Sequence, residues 1–251
     1  MENIKYIKPL KYFSSIPGLN LSYWISDNVL DCFRNKACSG EAFGDSEGKN
    51  VTTNNEKYIL FSWEVNNREI GEFESKWVPC ATGGPIRKWY GNVINVINWS
   101  PEARKFYKEN PAGRIIRREF WNLPGVTWGK FGTFVANFRF LPTNYMYQET
   151  AILQSNIDDT YFILSLLNSN CINTFITILN PTINLQLQDI KSIPIMKQAL
   201  ENKNEIINIG KKCCSLSKEE WDDYEISIDF KRHPLVWGEY LWNMFLTVQN
   251  I

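Results

Sequence analysis

The spacing of apolar residues changes several times along the chain, and each change predicts a different element. Apolar residues are frequent at positions 4–16 and 19–33 and become sparse between 40 and 55, which predicts a helical or irregular start followed by an exposed loop. From Tyr58 the apolar residues become frequent again, and this stretch predicts a short strand that ends at Asn66-Asn67.

Two longer stretches alternate in the way that half-buried strands do. In residues 85–99 the alternation is interrupted by Gly91-Asn92, a pair that favours tight turns, so this stretch predicts a β-hairpin. Residues 126–141 place Phe134, Ala136, Phe138 and Phe140 on one side and Val135, Asn137 and Arg139 on the other, which predicts one half-buried strand.

Helix boundaries are marked by capping residues and prolines. Ser100 can cap a helix, and Pro101 suits its first turn, so these two residues predict a helix start. The pair Asn180-Pro181 predicts the end of a long apolar helix, because proline cannot continue a helix. The predicted helices cover 101–109, 159–179 and 196–214, with a further short acidic helix from Ser217.

Together these patterns predict an α+β protein with a mixed, strand-rich recognition domain and flanking helices. We expect an N-terminal helical or irregular segment over 1–57, the strand-rich domain over 58–195 and a C-terminal helical tail over 196–251. The length of 251 residues and the hydrophobic share of 44% exclude a disordered chain.

The charges are unevenly distributed, although the net charge of the whole chain is zero. Residues 76–147 contain eleven Lys or Arg against three Glu, a net charge of +8, together with fifteen of the 36 aromatic residues. Such a window suits a surface that binds phosphates and stacks on bases. It equally suits a solvated sheet face whose cations pair with the acidic segments 41–74 and 219–229.

The residue types also restrict the chemistry. His233 is the single histidine, which argues against histidine-based acid–base catalysis and histidine-rich metal sites. The six cysteines show no C-x2-C spacing, so we predict no metal site and reduced, buried thiols. Residues 160–188 lack charge but contain several asparagines, which argues against a membrane span. The first 30 residues lack an apolar signal core, so we expect a cytoplasmic protein.

The common cofactor motifs are missing from the sequence. No G-x-G-x-x-G, P-loop or H-E-x-x-H motif occurs. The segment 180–183, Asn-Pro-Thr-Ile, superficially resembles the Asn-Pro-Pro-aromatic motif of adenine-N6 methyltransferases. It lacks the second proline and the ring that stacks on a flipped base, so we interpret it as a helix stop. Glu74 and Lys76 have the Glu-x-Lys spacing of metal-dependent nucleases, although the nearest upstream aspartate is the distant Asp45.

A set of short motifs occurs in a fixed order between about residues 13 and 236. These motifs include Ile16-Pro17-Gly18, Lys76-Trp77-Val78-Pro79, Gly83-Gly84-Pro85-Ile86-Arg87-Lys88-Trp89-Tyr90-Gly91-Asn92, Val96-Ile97-Asn98-Trp99, Gly125-Val126-Thr127-Trp128, Leu166-Leu167-Asn168-Ser169, Ile193-Pro194-Ile195 and His233-Pro234-Leu235. On these motifs the chain resembles the target-recognition region of the BREX phage-defence adenine-specific DNA methyltransferases and, more loosely, that of single-chain type II restriction-modification enzymes.

The resemblance implies sequence-specific recognition of double-stranded DNA without catalysis by this chain. In that family the recognition region follows the methyltransferase domain. The S-adenosylmethionine site and the base-flipping motif of the family are missing here, so we expect no catalytic residue and no cofactor on this chain, with S-adenosylmethionine binding the missing catalytic domain. The chain then corresponds to an isolated piece or a truncated gene product of a restriction-modification or BREX-like system.

Within the basic window, a small set of side chains is predicted to contact DNA, some through phosphates and others through base edges. Trp89, Trp99 and Trp128 are instead predicted to be core residues or hairpin anchors. The predicted DNA contacts are Arg87, Lys88, Tyr90, Asn92, Thr127, Lys130 and Arg139.

Two other functions remain open at this point. The chain could be a protein-interaction module that docks on a methyltransferase or on another defence component, since exposed aromatic residues serve that role too. It could also be a metal-dependent nuclease built around Glu74 and Lys76. Salt-dependent DNA binding separates the first alternative from DNA recognition, and Mg-dependent cleavage identifies the second.

Overall fold

The fold combines helices with three small sheets in a computed structural model that describes residues 7–129, 137–148, 150–182 and 184–236. This arrangement confirms the predicted α+β class. The helices are α1 (Asp27–Arg34), α2 (Asn55–Tyr58), α3 (Pro101–Glu109), α4 (Ile157–Leu167), α5 (Ile172–Leu179), α6 (Leu187–Lys191), α7 (Lys197–Glu201) and α8 (Lys203–Asp222). The strands are β1 (Cys38–Ser39), β2 (Ile59–Phe61), β3 (Trp77–Ala81), β4 (Asn95–Asn98), β5 (Gly125–Gly129), β6 (Arg139–Leu141), β7 (Met146–Tyr147), β8 (Thr150–Gln154) and β9 (Pro194–Ile195).

The largest sheet has four strands in the order β2-β4-β3-β7. Strands β3 and β4 are antiparallel, with Trp77 opposite Asn98 and Cys80 opposite Asn95. The connection over residues 82–94 therefore leaves one end of this strand pair, and α3 begins just beyond the other end. Three residue steps separate the two pairs in register, which corresponds to roughly 10 Å along the strands.

The other two sheets join distant parts of the chain. Strand β5 lies between β6 and β8 in an antiparallel three-stranded sheet. Strand β1 pairs with β9 and so brings residues 38–39 to residues 194–195. The strand predicted from Tyr58 is present as β2, but it is shorter than predicted, because a 3-10 turn over Ser62–Glu64 follows it directly.

The hairpin predicted over 85–99 is wrong. Strand β4 forms, but it pairs with β2 and β3, and residues 85–94 contain no named strand. Trp89 makes only an isolated bridge to Arg139. The backbone prevents a regular strand here, because Trp89, Gly91 and Asn92 all have positive φ angles of 70°, 117° and 64°.

The strand predicted over 126–141 is also wrong as a single element. It consists of two strands, β5 and β6, which pair antiparallel with Thr127 opposite Arg139. Residues 130–136 between them lie outside the described residues. The same alternation arises from two strands that share a sheet, since both turn one face toward the core.

The helix predicted over 101–109 is confirmed to the residue as α3. The Ser100 hydroxyl accepts a hydrogen bond from the backbone N–H of Ala103 at 3.2 Å, and Pro101 occupies the first turn. Ala103 and Tyr107, four residues apart, are buried against the four-stranded sheet. The opposite face of α3 is exposed to solvent.

The long helix predicted over 159–179 is wrong as a single element, because α4 and α5 meet at an 85° bend. Asn168 ends α4, and its side-chain amide donates to the Phe138 carbonyl at 3.0 Å. The Ser169 hydroxyl donates to the Leu166 carbonyl at 2.6 Å. These side chains compete with the helical backbone for hydrogen bonds and interrupt it. The end of α5 at Asn180 agrees with the prediction.

The C-terminal helices also differ from the prediction. Residues 196–214 were predicted as one helix with a separate acidic helix from Ser217, whereas α7 is short and α8 continues through Ser217 to Asp222. Within the described residues, no single helix is long and apolar enough to cross a membrane. Only the bent pair of α4 and α5 reaches the required length and composition.

The largest apolar cluster takes residues from all three predicted ranges. Phe13 and Leu30 come from the N-terminal range, Trp128 and Leu164 from the strand-rich range, and Cys214 from α8. The predicted boundaries near 57 and 195 stay predictions, but the described parts of the three ranges share this core.

Candidate nucleic-acid interface

The connection over residues 82–94, here called the 82–94 loop, contains the longest motif of the family resemblance. Its backbone lies against α8. The Ser217 hydroxyl is 3.3 Å from the carbonyl oxygens of both Lys88 and Tyr90, to which it donates. The Cys214 thiol lies 3.7 Å from the Trp89 carbonyl. The motif therefore fixes the loop to a helix about 130 residues further along the chain.

Arg87 strengthens this attachment. Its Nε donates to the Tyr90 carbonyl at 2.7 Å, and one Nη donates to the Ser217 carbonyl at 3.3 Å. The guanidinium also pairs with Glu220 and lies 5.0 Å from the ring centre of Trp221. Arg87 was predicted to contact DNA, but in this structure its donors are engaged with the loop and with α8.

Gly91 shows how tightly this attachment is packed. A Cβ atom at this position would lie 2.6 Å from Nε of Arg87 and 2.9 Å from the Trp221 ring, and the φ angle of +117° already disfavours other residues. The neighbouring Asn92 is buried, and its side-chain amide donates to the Pro85 carbonyl at 2.7 Å. Gly91 and Asn92 of the motif thus stabilise the conformation of the loop through packing and a hydrogen bond within it.

The other predicted contacts are mostly buried as well. Tyr90 is 7% exposed, and Thr127 and Arg139 are 2% exposed. Lys88 is half-buried, and its ammonium donates to the Asn168 carbonyl at 3.2 Å. Lys130 lies outside the described residues. In this conformation, Arg87 and Lys88 are the described members of the predicted set that are partly rather than almost fully buried.

Arg139 is a buried cation whose hydrogen-bond acceptors among the described residues are carbonyl groups rather than carboxylates. One Nη is 3.3 Å from the Asn137 carbonyl and 3.5 Å from the Arg87 carbonyl. Burial, together with the nearby Arg87 charge, lowers the pKa of Arg139 to about 10. Arg139 is thus still protonated at neutral pH and joins β6 to the 82–94 loop.

The three tryptophans have the predicted structural role. Trp99 and Trp128 are 1% and 0% exposed, and the partly buried Trp89 packs against the largest apolar cluster. These positions confirm that the rings are core residues or anchors.

A groove of about 900 Å³ lies between α3 and residues 113–121. The cations that line it are not among the predicted DNA contacts. Five cations and one carboxylate line it. No Asn, Gln, Ser or Thr side chain is among its lining residues. The charged lining residues are Arg104, Lys105, Lys108, Glu109, Arg114 and Arg118.

Helix α3 supplies most of this charge from one face. Residues 101, 104, 105, 108 and 109 line the groove, a spacing that places them on one side of a helix. Arg104 and Lys108 are four residues apart, and like charges at that spacing destabilise a helix by about 0.2–0.5 kcal/mol. This spacing of cations in a capped helix was the signal in the sequence that could have identified the groove.

The groove cations differ in how far the protein neutralises them. Arg114 donates to the Glu47 carbonyl, and Lys105 lies 3.7 Å from the Glu109 carboxylate. Among the residues that the structure describes, Lys105 is the groove cation with a salt bridge, and Arg104, Lys108 and Arg118 have neither a salt bridge nor a side-chain hydrogen bond. Neighbouring Arg117 lies outside the groove lining and pairs with Glu47 at 2.9 Å. Three cations are therefore available to an anion.

One aromatic side chain, Trp121, lines the groove, and the almost fully buried Trp99 packs against it. The guanidinium carbon of Arg104 lies 6.0 Å from the ring centre of Trp99, and the rings of Trp99 and Trp121 meet edge to face at 5.2 Å. Nε of Arg104 and Nε1 of Trp99 are buried and have no hydrogen-bond partner among the described residues. Each unpaired buried donor costs about 1–3 kcal/mol, so native structures contain few of them.

The nuclease hypothesis finds no matching geometry in the described part of the chain. Lys76 pairs with Glu69 at 3.1 Å rather than with Glu74. Asp45 accepts a hydrogen bond from Lys191 at 2.6 Å, and this bond lowers the pKa of Asp45. Over the same described residues, no group of three or more His, Cys, Asp or Glu residues is arranged to hold a metal ion.

Comparison with known proteins supports the resemblance seen in the sequence. No protein-family model matches the chain. The chain is 28% identical over 233 residues to the adenine-specific methyltransferase BrxX of Escherichia coli O9:H4 (strain HS), covering 89% of this chain and 18% of the relative. It is 27% identical over 253 residues to the adenine-specific methyltransferase PglX of Lacticaseibacillus casei (strain Zhang), covering 93% of this chain and 21% of the relative.

The chain thus spans about a fifth of the length of the curated relatives that it matches. Nearly all of it is covered in both comparisons, so the similarity is not confined to the motif in the 82–94 loop. The resemblance is confirmed, and the chain is homologous to one part of the adenine-specific methyltransferases BrxX and PglX.

Proposed function

We propose that the chain is a sequence-specific double-stranded DNA recognition module of an adenine-N6 DNA methyltransferase from a defence system and is not catalytic by itself. The groove between α3 and residues 113–121 carries this proposal. It presents four cations without salt bridges among the described residues, and three of these, Arg104, Lys108 and Arg118, also donate no side-chain hydrogen bond to a described residue, in a chain whose net charge is zero. A local patch of this kind is what a neutral protein needs to attract a polyanion.

Duplex DNA suits this groove because its phosphates are regularly spaced along each strand. Lys and Arg side chains that neutralise phosphates release counterions, which makes binding favourable and salt-dependent. Phosphate contacts set the register of a protein on DNA, and separate contacts to base edges read the sequence. We assign the phosphate contacts to the groove and keep Arg87 and Lys88, the partly buried members of the predicted set, as the proposed reading residues.

The buried members of the predicted set then have a supporting role. Tyr90, Asn92, Thr127 and Arg139 hold the 82–94 loop and its surroundings in place. Sites that read DNA must be held rigidly, because a loosely held side chain loses the geometry that distinguishes one base from another.

Binding to random-sequence duplex DNA at several salt concentrations tests the proposal. If about five phosphates are contacted, log K should fall against log salt with a slope of roughly −4.5. Fluorescence anisotropy of a labelled duplex measures K directly. The absence of salt-dependent binding at micromolar protein would contradict the proposal.

The chain alone is expected not to methylate DNA. The segment of the chain most similar to a base-flipping motif begins at Asn180, and the side chain of Asn180 stabilises a turn. The amide of Asn180 donates to the Asn184 carbonyl at 2.9 Å and to the Asp189 carboxylate at 2.6 Å. Labelled S-adenosylmethionine should give no more incorporation with the protein than with a heat-inactivated sample. Transfer above that control would show a catalytic centre in this chain.

A second candidate, the protein-interaction module, is favoured by an exposed apolar patch before α1. Four large side chains in this segment have about half or more of their surface exposed: Leu19 (64%), Leu21 (63%), Tyr23 (48%) and Trp24 (51%). Asn20 fixes the segment by donating to the carbonyls of Ile178 and Leu179 at 2.9 Å and 2.8 Å. Docking through an apolar patch depends little on salt, so the same salt series separates the two candidates.

A further inference from the structure

Arg104 differs from the other groove cations in how it is held. It rests over the Trp99 ring, and no hydrogen bond from its guanidinium to another described residue is recorded, with Nε buried and unpaired. Packing rather than hydrogen bonding therefore positions the group. Its donors are not engaged elsewhere in the described structure, in contrast to those of Arg87 and Arg114.

The chemistry of the surroundings selects an anion. Lys108 and Arg118 line the same groove without a salt bridge to a described residue, so their charges and that of Arg104 repel one another. An anion between them would relieve this repulsion. A guanidinium is planar and rigid, and its paired N–H donors match the oxygens of a phosphate better than an ammonium does.

The lining also favours the DNA backbone over base edges. Adenine is typically read by Asn or Gln side chains, and these are absent among the groove-lining residues. Phosphodiester groups, by contrast, require only cations at a suitable spacing.

We infer that Arg104 is the anchor of a phosphodiester-binding site at the floor of the groove, with Lys108 and Arg118 on its flanks. This inference rests on the proposed DNA-binding function and goes further, because it assigns one backbone phosphate to one side chain. The contact is independent of sequence, since it involves no base.

The test compares Arg104→Gln with Arg34→Gln in the salt series. Arg34 is exposed on α1 and pairs with Asp31 at 3.3 Å, so its substitution changes the net charge equally but lies outside the groove. For Arg104→Gln, the slope of log K against log salt should become less steep by roughly 0.9, the contribution of one phosphate. Arg34→Gln should leave the slope unchanged.

Two duplexes of equal length, one with A·T pairs alone and one with G·C pairs alone, decide between phosphate and base. The loss for Arg104→Gln should be the same on both, roughly fivefold to tenfold near 0.1 M salt. Arg104→Lys should keep the slope and lose part of the affinity, because it retains the charge without the paired donors. Arg104→Met preserves packing on Trp99 and replaces the Gln variant if thermal unfolding shows that Gln disturbs the fold.

The outcomes separate the inference from the proposed function. An unchanged slope for the Gln and Met variants, with the wild-type protein binding DNA, would overturn the phosphate anchor and leave DNA recognition standing. A loss confined to the G·C duplex would identify a guanine contact and also overturn it. If the wild-type protein shows no salt-dependent binding, the proposed function fails first, and the anchor fails with it.

Discussion

Replacing Arg104, Lys108 and Arg118 together by glutamine should remove most of the DNA affinity of the chain. These three cations line the groove and have no salt bridge among the described residues. If each neutralises one phosphate, the slope of log K against log salt should become less steep by about 2.7. Of an expected slope of roughly −4.5, less than half would remain. Anisotropy titrations at several salt concentrations measure this change.

A matched triple variant controls for the loss of three charges. Arg34, Lys197 and Lys212 are exposed cations on α1, α7 and α8, outside the groove lining, and their replacement by glutamine should leave the slope nearly unchanged. Equal losses in the two triple variants would mean that net charge alone attracts DNA. The groove would then have no special role.

Substitution of Lys88 tests whether DNA contacts the 82–94 loop, which lies at the end of the β3–β4 pair opposite to α3. The 82–94 loop leaves β3 and β4 at one end and α3 begins beyond the other, so the loop and the groove need not touch the same stretch of DNA. A reduction of the slope by roughly one in Lys88→Ala would show a phosphate contact in the loop. For Arg87→Ala, a loss of about 1–3 kcal/mol at a preferred site, with random DNA unaffected, would indicate a guanine contact.

Leu167→Ala is expected to cause the largest loss of stability, about 2–5 kcal/mol in the free energy of unfolding. Leu167 is fully buried at the end of α4 and belongs to the largest apolar cluster. The bend after it is held by buried hydrogen bonds of Asn168, so the surrounding backbone cannot easily collapse into the cavity. Urea denaturation followed by tryptophan fluorescence measures the change.

Leu216→Ala is the control for this experiment. Leu216 lies on α8 and is 57% exposed, so the same substitution should change the free energy of unfolding by less than about 0.5 kcal/mol. A loss below about 1 kcal/mol for Leu167→Ala would mean that this face of α4 is not a packed core. The apolar helix pair would then need another role, such as contact with a partner.

The candidate site was only partly predictable. The sequence located the basic window correctly, since its charge depends on composition alone, but it could not show which cations are neutralised. Arg87 pairs with Glu220, and Arg117 pairs with Glu47. These acidic partners are distant in sequence from the arginines, so no local sequence pattern predicts the two salt bridges. On α3, Arg104 and Lys108 remain without a salt bridge because no described acidic segment folds over them.

The sequence by itself determined the features that depend on neighbouring residues. The bounds of α3 follow from Ser100 and Pro101, and the end of α5 follows from Asn180-Pro181. The α+β class follows from the spacing of apolar residues, and the relation to adenine-specific methyltransferases follows from motifs in order. Each of these signals is local, because capping, proline geometry and periodicity act within a few residues.

Only the tertiary structure decided what each buried face packs against. Alternation in residues 85–99 predicts the same pattern whether they pair with a neighbouring strand or lie against a helix. Here Lys88 and Tyr90 lie against α8 through Ser217, whereas Asn95–Asn98 pairs with β2 and β3. Likewise, the apolar spacing of 159–179 continues through the bend at Asn168, whose amide finds its partner at Phe138. The spacing of hydrophobic residues predicts that a residue is buried. The segment against which it packs is determined by contacts between parts of the chain that are far apart in sequence.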